Sequence, residues 1–308
     1  MASLTVRIFT LALTIGSVPS FVSAQQIYVG SYNSGPGLVG EYNAYGTPVN
    51  TSLVTGLSYP WGLAISGDNL FVANFASGAP GTGVIGEYTT SGATVNSSLI
   101  TGLSGPFSLA ISGDNIFVSE YHNGVIGEYT TSGATVNASL ISGLNNPGGI
   151  AISGGNLFVA NTSGGVIGEY TTSGAVVNAS LITGLRAPVG VAISGNNIFV
   201  SDYINGLIGE YTTSGATVNA SLISGLSVPY GLAISGNDLY VASWNAGGSS
   251  GLVGEYTTSG AMVNASLISG LDSPLSIAVL DTPEPTMLAL FGVGSLIALR
   301  VRPLRPKY

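Results

Sequence analysis

Three oxygen-bearing side chains, Glu120, Asn161 and Asp202, end corresponding apolar runs in successive stretches of this chain, and a hard cation such as Ca²⁺ or Mg²⁺ takes oxygen ligands of this kind. Ser31, Asn74 and Ser243 end the matching runs elsewhere, and the residues that follow the six are Tyr32, Phe75, Tyr121, Thr162, Tyr203 and Trp244. Trp61, Phe107 and Tyr230 each follow a proline. Rings beside hydroxyl, amide and carboxylate groups suit stacking on a sugar or another flat ligand. The expected ligand-binding set is therefore Trp61, Phe75, Phe107, Tyr121, Tyr203, Tyr230 and Trp244. A plainer account stays open, in which the rings cap strand ends and the polar groups satisfy loop amides. The single histidine, His122, lies beside Glu120 and is expected to be an exposed loop residue. With no cysteine, thiol catalysis, disulfides and Cys-ligated metals are excluded. Gly-x-Ser-x-Gly, P-loop, zinc and dinucleotide motifs are absent, so no catalytic residue is assigned.

These residues are carried by a repeat. Gly-Glu-Tyr occurs at Gly40, Gly86, Gly127, Gly168, Gly209 and Gly254, a period of roughly 40 residues that marks repeat architecture. Each unit holds four strand-sized runs, the pattern of one propeller blade. Strand A opens at Pro60, Pro106, Pro147, Pro188, Pro229 and Pro274. Strand B follows a glycine-led pair such as Gly67-Asp68, strand C carries Gly-Glu-Tyr, and a Thr-Thr-Ser-Gly turn leads to strand D. The chain starts on a B strand, Ile27 to Ser31, and ends on an A strand, Pro274 to Leu280. The expected fold is an all-β, six-bladed β-propeller with four-stranded blades, sealed by pairing those two ends so that no sheet edge is left open within the ring. The D-to-A and B-to-C loops share one face and vary between units, whereas the C-to-D turn is nearly constant, so the variable face is the expected binding side.

Strand C lies about 10 Å outside strand A at the usual strand spacing, too far out for the six Glu to share a ligand. They are expected to accept hydrogen bonds from Thr, Ser, Tyr or backbone groups. Asn137, Asn178, Asn219 and Asn264 begin Asn-Ala-Ser tripeptides that match the N-glycosylation sequon, with a strand-entry asparagine as the simpler reading.

Charge narrows the partners. Between residues 25 and 281 thirteen Asp and Glu face one basic residue, Arg186, a net charge of −12 that repels polyanions and argues against nucleic acid. The 46 glycines and 6% charged residues suit short strands and tight turns.

The ends read as addresses. Residues 1–24 have one cation, Arg7, an apolar stretch from Ile8 to Val18, and Val22-Ser23-Ala24 before Gln25, the layout of a signal peptide. The domains expected are thus a leader at 1–24, the propeller at 25–281 and a sorting tail at 282–308. That tail carries Pro283-Glu284-Pro285, a charge-free run from Thr286 to Leu299, and Arg300, Arg302, Arg305 and Lys307. It resembles the PEP-CTERM sorting signal of exosortase-bearing bacteria. The resemblance implies a membrane-held tail, an exosortase-type transpeptidase acting near Pro283-Glu284-Pro285, and delivery to the cell surface, outer envelope or extracellular matrix. A simple C-terminal membrane anchor fits the same pattern.

Across some 255 residues the repeats resemble NHL-type propellers and the streptogramin lyase propellers. The mix of Glu120, Asn161 and Asp202 is similar to the metal ligands of gluconolactonase-type propellers, whereas the histidines a streptogramin lyase uses are not matched beyond His122. The function expected is non-catalytic binding of an exopolysaccharide or an envelope protein, with no cofactor. The alternative is a Ca²⁺- or Mg²⁺-dependent lyase or lactonase, and a self-associating coat component is a third reading.

Overall fold

The computed structural model describes residues 24–32, 36–76, 79–244 and 250–282. The leader and the tail with Pro283, Glu284 and Pro285 lie outside the described residues. Among the described residues no helix is long and apolar enough to cross a membrane.

The chain forms six four-stranded antiparallel sheets. The second blade shows the plan: β4 (Pro60–Ser66), β5 (Asn69–Asn74), β6 (Gly83–Thr89) and β7 (Thr94–Leu103) lie side by side in chain order, from the axis outward. The first blade is composite, with β24 (Pro274–Thr282) innermost, then β1 (Ala24–Ser31), β2 (Gly37–Asn43) and β3 (Pro48–Leu57). The last strand therefore pairs with the first, as a repeat that starts on a B strand and ends on an A strand requires.

Strand B reads as an unbroken apolar run because both of its faces are buried. Leu70 and Val72 pack toward the first blade, and Phe71 and Ala73 toward the third, as successive side chains alternate. Six such apolar clusters fill the gaps between neighbouring blades. The cluster across the closure joins Ile27, Val29 and Ile277 to Tyr240, Ala242 and Val253.

Glycine has two separate uses. In Gly-Glu-Tyr the tyrosine two residues on lies over its own glycine: a Cβ at Gly127 would sit 2.7 Å from the Tyr129 ring. Strand A approaches its neighbour so closely that a Cβ at Gly149 would lie 2.5 Å from the Val189 carbonyl oxygen. Around the axis the Ser119 hydroxyl donates to the Gly148 carbonyl (2.7 Å), that of Ser201 to Tyr230 (2.7 Å), and that of Ser276 to Pro60 (2.8 Å).

The glutamates of the repeat find a partner other than the expected ones. The Asn that opens strand B donates its amide: Asn69 to Glu87 (2.8 Å), Asn115 to Glu128 (2.8 Å), Asn156 to Glu169 (2.6 Å) and Asn197 to Glu210 (2.7 Å). The turn between A and B is the two-residue kind with glycine first, Gly67 at φ 57°. The asparagines of strand D form local bulges, Asn137 Oδ1 accepting from Ser139 N at 3.1 Å.

Candidate functional site

The ladder between A and B continues one step past the sheet on the variable face. In each blade the residue after strand B donates its backbone N–H to the carbonyl of the residue before the strand A proline. The pairs are Tyr32 with Ser273, Phe75 with Tyr59, Tyr121 with Gly105, Thr162 with Asn146, Tyr203 with Ala187 and Trp244 with Val228, at 2.9–3.2 Å. Aromatic residues at that position are thus fixed by backbone, beside the ring that follows the proline. Five of the six acceptors, Tyr59, Gly105, Asn146, Val228 and Ser273, have positive φ, and β-branched Val228, at 44°, is strained there.

Six of the seven expected ring residues come together. Trp61, Phe75, Phe107, Tyr121, Tyr203 and Tyr230, with Thr162 and Val189, line one cavity of about 160 Å³. Within it Trp61 stands 4.5 Å from Phe107 and 5.4 Å from Phe75, and meets Tyr230 edge-on at 5.6 Å. Phe107 stacks on Tyr121, and Tyr203 on Tyr230, both at 5.6 Å. Trp61, Phe107 and Tyr230 also line the mouth of a smaller axial cavity of about 100 Å³. The Trp61 Nε1 atom is buried without a hydrogen-bond partner. Trp244 stands apart, in a different pocket of the sixth blade. Its equivalent position in the repeat gives no hint of this.

Burial pushes the Tyr230 hydroxyl up to about 12, with Tyr203 and Tyr121 nearby adding to the effect. Tyr121 is raised for the same reasons, burial first and then Tyr203. Tyr121 and Tyr230 therefore stay neutral hydroxyls at ordinary pH, each able to donate and accept. His122 is exposed at the rim, 5.1 Å from Phe75 and 5.5 Å from Tyr121.

Glu120, Asn161 and Asp202 are turned to their own loops. Ser104 N donates to Glu120 Oε2 at 2.7 Å, Asn145 N to Asn161 Oδ1 at 3.0 Å, and Arg186 N to Asp202 Oδ2 at 2.8 Å. Asn74 does the same for Ser58 N at 3.1 Å. Glu120 also accepts from Asn123 Nδ2 (3.1 Å), and Asp202 from Asn205 N (3.2 Å) and Nδ2 (2.9 Å). All three side chains are at least 93% buried, and a buried carboxylate needs such donors. They make three separate loop clamps. Among the described residues no group of three or more His, Asp or Glu is placed to hold a metal.

No family model matches the chain, and no curated protein matches it. Solved structures do. A chain of a nidogen/laminin complex superposes with a TM-score of 0.68 at 15% identity, over 84% of this chain and all of that one. A protein described as a 6-phosphogluconolactonase from Bacteroides uniformis gives 0.60 at 13% identity, over 84% and 100%. Virginiamycin B lyase from Staphylococcus aureus gives 0.54 at 21% identity, over 78% of this chain and 84% of the lyase. At these identities the likeness is one of fold, and a propeller hosts many functions.

Proposed function

We propose that the protein is a non-catalytic binding propeller of the cell exterior whose ligand is a neutral carbohydrate, held in the axial aromatic cup. The observation that carries this reading is the meeting of six rings, three of them bearing phenol hydroxyls, in one cavity. Faces of Trp and Tyr pack against the C–H faces of a sugar ring, and the phenols exchange hydrogen bonds with its hydroxyls. A cavity of about 160 Å³ is smaller than a drug-sized site and suits one ring or a chain end. The net charge of −12 over residues 25–281 favours a neutral polymer over an acidic one.

The leader and the tail support export and transient or permanent membrane attachment, with an exosortase-type enzyme as the processing partner. The nidogen/laminin chain shows that a ring of this shape serves in a binding complex, which favours the same class of role here.

Retention on immobilised neutral polysaccharides tests the reading. The wild-type ring is expected to be retarded, and Trp61→Ala to lose about tenfold in affinity, the worth of one good ring contact. Equal migration of the wild type with and without every neutral polysaccharide would remove the proposal.

A further inference from the structure

Blades two to five end strand B with Asn74, Glu120, Asn161 or Asp202, each reaching the loop amide sixteen positions earlier. The sixth blade has Ser243 in that place. The residue is 96% buried and its hydroxyl finds no hydrogen-bond partner. A pocket of about 340 Å³ opens beside it, lined by Leu226, Ser227, Trp244, Leu252 and Tyr256 among others.

We propose that this off-axis pocket of the sixth blade is a second binding site, for a small neutral ligand rich in hydroxyl groups, such as one glycosyl unit. A buried hydroxyl without a partner is costly, and a ligand oxygen within its reach removes that cost. The missing long side chain supplies the room. Trp244 offers an indole wall, Leu226 and Leu252 apolar contact, and Ser227 and Ser266 further hydrogen-bonding groups. The described residues lining the pocket are uncharged, so none of them compensates an anion. Ser31 in the first blade is also buried and unpartnered. Its neighbour Tyr32, however, is engaged in a 3.7 Å stack with Tyr59, whereas Trp244 pairs with no other ring among the described residues. The site is independent of the axial cup and stands or falls without it.

The chain has two tryptophans, one in each place, so each reports its own site. In the full chain, Trp61→Phe leaves Trp244 as the sole indole. That variant is titrated with glucose, galactose, mannose, N-acetylglucosamine and their β-1,4-linked disaccharides while its emission is followed. At least one sugar is expected to give a saturable shift in the millimolar range. Adding Ser243→Asn, which copies Asn74 and Asn161, should fill the vacancy and weaken that response at least tenfold without loss of fold. Should that variant misfold, Ser243→Ala, which keeps the volume, is expected to weaken binding severalfold. The reciprocal Trp244→Phe variant reads the axial cup alone, so failure of one site is distinguishable from failure of the other. No saturable change in Trp244 emission with any of these sugars, or an undiminished response in the Ser243 variants, overturns the proposal.

Discussion

Glu120 combines the residue type of a catalyst with the surroundings of a structural group. Its oxygens take the Ser104 amide and the Asn123 side chain, and the Tyr129 hydroxyl lies 3.5 Å away. Removing it as Glu120→Ala leaves a buried amide unsatisfied and should cost about 1–3 kcal/mol in chemical denaturation, whereas Glu120→Gln, which keeps an acceptor, should cost less. Added Ca²⁺ or Mg²⁺ should leave both midpoints where they were. A metal-induced gain in the wild type that Glu120→Gln abolishes would favour the cation reading instead. In the sequence, Glu120, Asn161 and Asp202 could be seen as oxygen donors at equivalent places. Which amides they face was not legible, because the partner lies across a loop that varies from blade to blade. The separate position of Trp244 was hidden for a related reason: its backbone bond to Val228 matches that of Phe75 to Tyr59, and only Ser243 before it differs in reach.

In blades two to five, Gly-Glu-Tyr is one device read on two faces. The glycine makes room for the tyrosine ring, and the glutamate, on the other face, takes the amide of the Asn that opens strand B. The motif was legible as a repeat, but its partner was not. Asn69 and Glu87 are brought together only by the register of β5 against β6, in which Asn69 faces Thr89. The sixth blade breaks the rule, with Asp238 in place of Asn. Burial first, and then the Asp238 charge, raise the Glu255 carboxyl above its usual 4.5. The folded ring therefore holds this proton more tightly than the unfolded chain does. The associated stability is present below about pH 4.5 and is lost as pH rises through the folded value. Asp238→Asn restores the hydrogen bond and removes the repulsion, so it should stabilise the ring by about 1 kcal/mol at pH 7, a figure reduced for partial exposure. The gain should fade toward pH 4. Equal melting temperatures of variant and wild type at pH 7 would contradict this.

Residues 25–282 form a ring whose last strand completes the first blade, and that closure was legible because the repeats begin on a B strand and end on an A strand. Its constancy on one face has a physical cause. The glycine of each C-to-D turn docks against the outer strand of the preceding blade, where a Cβ at Gly92 would sit 2.6 Å from the Leu53 carbonyl oxygen. The rings gather on the opposite, variable face. Tyrosine also sets the alkaline limit of the ring, since residues 25–281 contain no lysine to titrate beside it. Burial is the main cause that pushes Tyr28, Tyr129 and Tyr230 up to about 12. Their contribution is complete below about pH 10 and is lost as pH rises through the folded values. Unfolding followed by tyrosine absorbance should therefore set in above pH 10, and a ring that keeps full stability at pH 12 would contradict that account.

Calorimetric titration of the wild type and of Tyr230→Ala with one pool of neutral oligosaccharides decides whether the axial cup holds a neutral sugar. The account predicts saturable binding to the wild type and at least a tenfold loss in the variant, with the fold intact by circular dichroism. Absence of heat with the wild type, or equal affinity in both proteins, would contradict it.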